Sequence, residues 1–148
     1  MTARLAIPLA AILCIAACGQ PAGPTLTISN IVILEPLPGS GMAAGYLAME
    51  NHSDRPITIV KVSSPAFASI EMHETVIEDE VARMISLAPL VIGPKSAIVF
   101  EPGGKHLMMS GAAREMAPGE AVTIEFHDNA SGLVAVATTV RSRQGFQE

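Results

Sequence analysis

"AVTIEFHD", residues Ala121 to Asp128, alternates without a break: Val122, Ile124 and Phe126 fall on one side, Thr123, Glu125 and His127 on the other. A period of two describes a strand with one face on a core and the other toward water, the habit of an antiparallel sheet. Turn-forming words bracket it, "APGE" before and "DNASG" after, so the strand is short and reverses at both ends. Similar runs recur outward from it at roughly ten-residue intervals. They are Leu26–Leu34, Ala43–Glu50, Ile57–Val62, Ile70–Glu78, Val81–Leu87, Ala97–Phe100, His106–Ser110 and Leu133–Val140. "PLPGSG", "NHSDRP", "GPKS" and "EPGG" supply turns between them, and no segment after Ala17 keeps an apolar period of 3.6 for three turns. The prediction is an all-β domain, a Greek-key sandwich or barrel. His127, at the end of its strand on the polar face, reads as a solvated histidine.

The chain has 148 residues, 49% apolar and 16% charged, which suits one folded domain and excludes a disordered one. Arg4 precedes a thirteen-residue uncharged run, Leu5 to Ala17, too short to span a bilayer and the right length for the centre of a secretory signal. The run ends in "IAAC", Ile15 to Cys18, which resembles the bacterial lipobox, with Cys18 the residue that is acylated. Residues 1–17 are therefore read as a lipoprotein signal peptide, 18–24 ("CGQPAGP") as a Pro/Gly tether, 25–142 as the domain and 143–148 as a short tail. The expected location is the periplasmic side of the cell envelope, on a membrane through a lipid anchor. Losing residues 1–17 removes Arg4 from nine basic residues, leaves all fourteen acidic ones and leaves Cys18 as the only thiol. Neither an intrachain disulfide nor a thiolate metal site can then form. An acidic chain with one Tyr, four Phe and no basic cluster is a poor nucleic-acid binder.

Four residues carry the chemistry. "ETVIEDEVARM" reads as a hairpin with a two-residue tip at Asp79 and Glu80, so that Thr75 opposes Met84 and His73 opposes Ser86. His73 and Met84 then share a face as diagonal neighbours; a tip of odd length would put Met84 on the other side. In "KHLMM", His106 and Met108 are two apart and share a face of one strand. Two imidazoles and two thioethers, without carboxylate or thiolate, are a soft donor set that suits Cu(I) over Mg²⁺, Ca²⁺ or Zn²⁺. Without a cysteine thiolate such a site is poorly suited to fast electron transfer, and holding and releasing the ion is the better reading.

The order His, ten residues, Met, twenty-one residues, His, one residue, Met is met at His73, Met84, His106 and Met108. It resembles the signature of the PCuAC periplasmic copper chaperones, and so do the words "MHETVIEDEVARM", "PGGKHLMM" and "PGEAVTIEF". The likeness runs from about Thr25 to Val140. It implies a cupredoxin-like β-sandwich whose four ligands lie near one surface, binding Cu(I) as a monomer and passing it to a copper-accepting protein of the cytochrome c oxidase assembly route. The chain departs from the family pattern at Lys105, a cation where an uncharged residue is familiar, and at "MMSGAA", where the family is more hydrophobic. The tail "RSRQGFQE" lacks the His and Met that some relatives carry as a second copper segment.

Other readings use the same residues. The protein could sequester copper for tolerance, use two His and one Met as a copper enzyme, or be a metal-free β-sandwich scaffold. Met72 and Met109 neighbour His73 and Met108, so they point the other way and are read as core. Met42, Met49 and Met116 are read as packing or surface residues. "HSD", His52 to Asp54, names the residue types of a hydrolase triad, but three adjacent residues cannot converge as one. The acidic run Glu78 to Glu80 is read as a solvated tip, with docking of a positively charged partner as the alternative.

Overall fold

A computed structural model describes residues 25–146; the expected signal peptide, Cys18 and the tether lie outside the described residues. Ten strands follow one another: β1 (Leu26–Leu34), β2 (Ala43–Asn51), β3 (Ile57–Ser63), β4 (Phe67–Glu78), β5 (Val81–Ser86), β6 (Leu90–Ile92), β7 (Ala97–Phe100), β8 (Lys105–Ala112), β9 (Ala121–Asp128) and β10 (Leu133–Arg141). No helix occurs among the described residues.

Seven strands close a barrel in the order β4-β8-β2-β1-β10-β9-β3, with β3 returning to β4 at Val62↔Ile70. Every pair in the ring is antiparallel except β1–β10, which is parallel at Ile33↔Val140 and Leu34↔Arg141. Closure leaves the ring without free edges. β5, β6 and β7 are side branches on β4, β3 and β2. The all-β, cupredoxin-like expectation is met. The strand read as ending at Glu50 runs to Asn51, and β4 starts three residues before the expected Ile70.

The alternation of Ala121–Asp128 appears as burial: Val122, Ile124 and Phe126 are in the core, Thr123 is exposed, and Glu125 and His127 are half-buried. They pack with Ile33, Leu47, Met49, Ile59, Leu107, Met109 and Val140, all at most 2% exposed. Gly45 on β2 faces this interior, where a Cβ would sit 2.9 Å from Ile33 Cδ1 and 3.2 Å from Leu107 Cβ. Glycine there lets the walls approach. His127 differs from its expectation: its Nε2 lies 2.7 Å from the Ser63 hydroxyl, which also donates to Glu125.

The segment read as a tail is described as far as Phe146, and its beginning is tied down. The Glu35 carboxylate accepts from the Arg143 N–H and the Ser142 hydroxyl, both at 2.9 Å, which holds its pKa below the usual carboxylate range,. Phe146 stacks on Tyr46 with centroids 5.5 Å apart.

Candidate metal centre

β4 is the longest strand because it does two jobs. Its first part, from Phe67 to Glu74, is barrel wall against β8, and from His73 onward it also carries β5. At the hairpin tip Asp79 and Glu80 have φ of 51° and 63°, the left-handed pair that a two-residue I′ turn requires. The register is the one expected of that tip: Glu78↔Val81, Thr75↔Met84 and His73↔Ser86. Met84 therefore lies on the face of His73, one diagonal step away.

What the hairpin alone could not show is the partner on the other side. β4 and β8 pair with His73 directly opposite His106 and Glu71 opposite Met108. The two imidazoles stand edge to face, centroids 6.1 Å apart. Alternation turns Met72, Leu107 and Met109 into the core and leaves His73, His106 and Met108 half-buried on the outer face. Met84, on the outermost strand, is 62% exposed. His106, Met108 and Met84 line one cavity of about 380 Å³ with Thr75, Tyr46 and Met42.

Hydrogen bonds set the tautomers. The Glu71 carboxylate, 3.0 Å from His73 Nε2, can only accept, so Nε2 carries the proton and the neutral ring has its lone pair on Nδ1. The Gly104 carbonyl, 3.0 Å from His106 Nδ1, leaves the lone pair of that neutral ring on Nε2 by the same argument. His73 Nδ1 is buried with no hydrogen-bond partner. A buried lone pair without a partner costs stability, and an ion bound there would remove that cost. Metal-binding histidines usually have their second nitrogen held by a carboxylate or carbonyl in this way. Among the described residues no three His, Cys, Asp or Glu side chains group to hold an ion. The side-chain donors that line the cavity with His106 include the thioethers of Met42, Met84 and Met108, and thioethers favour soft Cu(I).

Three neighbours escaped the sequence reading. Glu71, two before His73, shares its face by the period of a strand, and that rule could have found it. The Gly104 carbonyl has no sequence signal. Met42, read as packing or surface, brings a third thioether to the cavity from the loop before β2. Lys105, expected as a cation beside the site, points to the opposite face, where its ammonium meets Glu74 at 2.6 Å. Ser53 of the "HSD" word is occupied by Asn51, and His52 by Thr27; these residues form no triad.

The LpqE-like family model, described as "Putative lipoprotein LpqE-like", matches residues 26–140. A curated relative in Leifsonia xyli subsp. xyli, "Putative lipoprotein Lxx21020", is 31% identical over 101 residues, 66% of this chain and 61% of that protein. The chain thus spans about three fifths of that relative's length. Among solved structures, the copper-bound PCuAC domain from PmoF2 is 25% identical with a TM-score of 0.62, over 82% of this chain and 97% of that one. The Cu(I) form of DR1885 from Deinococcus radiodurans is also 25% identical, with a TM-score of 0.64 over 85% and 84% of the two chains. The family match runs from the first strand of the barrel to the last, and the chain belongs to the LpqE-like family as a PCuAC-type domain.

Proposed function

We propose that this protein is a Cu(I) chaperone of the cell envelope and not an enzyme, holding one ion through His73 and His106 nitrogen and Met84 and Met108 sulfur. The reading rests on one observation above the rest: two opposed imidazoles each have one nitrogen held by a fixed acceptor, and the other nitrogen of His73 is buried and unpartnered. The copper-bound forms of PmoF2 and DR1885 support the choice of cargo, and the thioethers favour its reduced state. The proposed donor set has no thiolate of the kind blue-copper electron-transfer sites use, which supports holding and release over electron transfer.

A titration of the purified protein with Cu(I) should saturate at one equivalent, and X-ray absorption of the loaded protein should find about two nitrogen and two sulfur neighbours. A sulfur-free shell would remove the methionines from the site.

Cys18 is proposed as the lipid anchor and the cytochrome c oxidase assembly route as the destination, with the protein acting as a monomer on the periplasmic side. No helix among the described residues is long and apolar enough to cross a membrane. In a deletion strain grown at limiting copper, oxidase activity should fall and return with the wild-type gene, and Cys18→Ser protein should leave the membrane fraction. Normal oxidase activity at limiting copper, with sensitivity only to excess, would make the protein a sequestering factor instead.

A further inference from the structure

The β4–β5 hairpin projects from the barrel. Among the described residues β5 pairs with β4 alone and forms one end of the strand order, leaving its outer edge open, and all six of its residues are exposed. Of the nine exposed large apolar side chains of the described residues, four lie on this one hairpin: Ile77 (77%), Val81, Met84 and Ile85. Ile77, opposite Ala82, stands on the same face as His73 and Met84, whereas Val81 and Ile85, opposite Glu78 and Glu74, stand on the other, so the site side of the hairpin shows Ile77 and Met84. Across the cavity the apolar side continues with exposed Leu37 and half-buried Met42. Apolar groups gathered around a site mouth mark contact surface more often than chance exposure. Beyond them the tip carries Glu78, Asp79 and Glu80. On the hairpin itself Arg83 pairs with Glu78 at 3.9 Å with both side chains 64% exposed, a pair too solvated to cancel the field of the tip; a second cation, Arg143, lines the cavity.

Taking Cu(I) as the cargo, as proposed above, we infer that the β4–β5 hairpin is the docking face for the copper acceptor, a protein whose apolar contact surface is bordered by lysine or arginine, and that Met84 is the ligand exchanged first. The charge of the tip sets the sign of the partner's border, since complementary charge speeds encounter and excludes like-charged surfaces. A second copy of this chain, net charge −5, has the wrong sign. The exchange itself balances simply. An acceptor thiol loses its proton to solvent, its sulfur bonds to Cu(I), and the Met84 sulfur leaves; copper stays in the +1 state throughout. Met84 is the ligand such a sulfur can reach, being 62% exposed on the outermost strand while the His73 side chain is 12% exposed beneath it.

The test uses the full chain in detergent, loaded with one Cu(I), and two synthetic peptides with the same Cys-X3-Cys pair set between leucines, one bordered by lysines and one by glutamates. The lysine peptide should remove copper about tenfold faster at low ionic strength, with the advantage shrinking at about 0.5 M salt. Glu78→Gln, Asp79→Asn and Glu80→Gln together should abolish that preference while leaving Cu(I) affinity within about twofold, and Ile77→Ser should slow both peptides. Neutralising Glu50 and Asp54, which line no part of the cavity, should preserve it. Equal rates for the two peptides on wild-type protein, or a preference that survives neutralisation of the tip, overturns the docking face while leaving copper binding intact. Wild-type protein that takes up no Cu(I) overturns the copper reading and this inference together.

Discussion

His106→Ala should lower Cu(I) affinity by more than about 100-fold in competition with a chromogenic Cu(I) chelator, beyond the 10–100-fold expected when only a supporting group is lost. The imidazole cannot be replaced by a neighbour, because Lys105 and Leu107 point to the other face of β8 and are committed to Glu74 and to the core. The fold should survive, since His106 is on the outer face and its ring bonds to the Gly104 carbonyl in the adjoining turn. Glu71→Gln makes the graded comparison. An amide can still accept from His73 Nε2 through its oxygen but lacks the charge that raises ligand basicity, so a loss of about tenfold is expected. If His106→Ala binds as tightly as wild type, the imidazole is no ligand and the PCuAC-type likeness extends to the fold alone.

Much of this site can be read before any coordinates, and the reason is geometric. Strand alternation ties residues two apart to one face, and a two-residue tip ties β5 to β4, so the His73–Met84 and His106–Met108 pairs each follow from local rules. The meeting of the two pairs does not. Nothing in "MHETV" or "KHLMM" says that His73 will oppose His106; that register comes from barrel closure, which depends on how seven strands fill a common interior. The same limit hid the parallel β1–β10 pair, since alternation reveals which face is buried but not which strand lies alongside or in which direction. β6 was missed because Leu90–Ile92, caught between Pro89 and Gly93, is too short to show a period. The likeness to PCuAC chaperones carried what local rules could not, by tying the four residues together as one set.

Asn51→Ala should destabilise the protein by about 3 kcal/mol in urea unfolding, the scale set by leaving buried polar groups without partners. Asn51 is fully buried, the one polar side chain in that position among the described residues. Its amide nitrogen is within reach of the carbonyls of Arg55 (2.8 Å), Ile92 (3.1 Å) and Gly93 (2.9 Å), and its oxygen accepts from the Ser53 N–H and hydroxyl. One side chain thus ties the end of β2 to the following turn and to the end of β6. Alanine removes every one of those bonds. Asn51→Asp should be at least as damaging at neutral pH, because it keeps the acceptor for Ser53 but sets a buried anion against three carbonyl oxygens. Burial disfavours that anion, so the folded protein holds the proton more tightly than the unfolded chain, and the aspartate variant should regain stability as pH falls while the alanine variant does not. Both changes sit at the far end of β2 from Ala44, which pairs with Met108. Whatever fraction of either variant stays folded should therefore bind Cu(I) as wild type does, and a variant that keeps its stability but loses copper would mean that this buried amide supports the metal centre and not the barrel end.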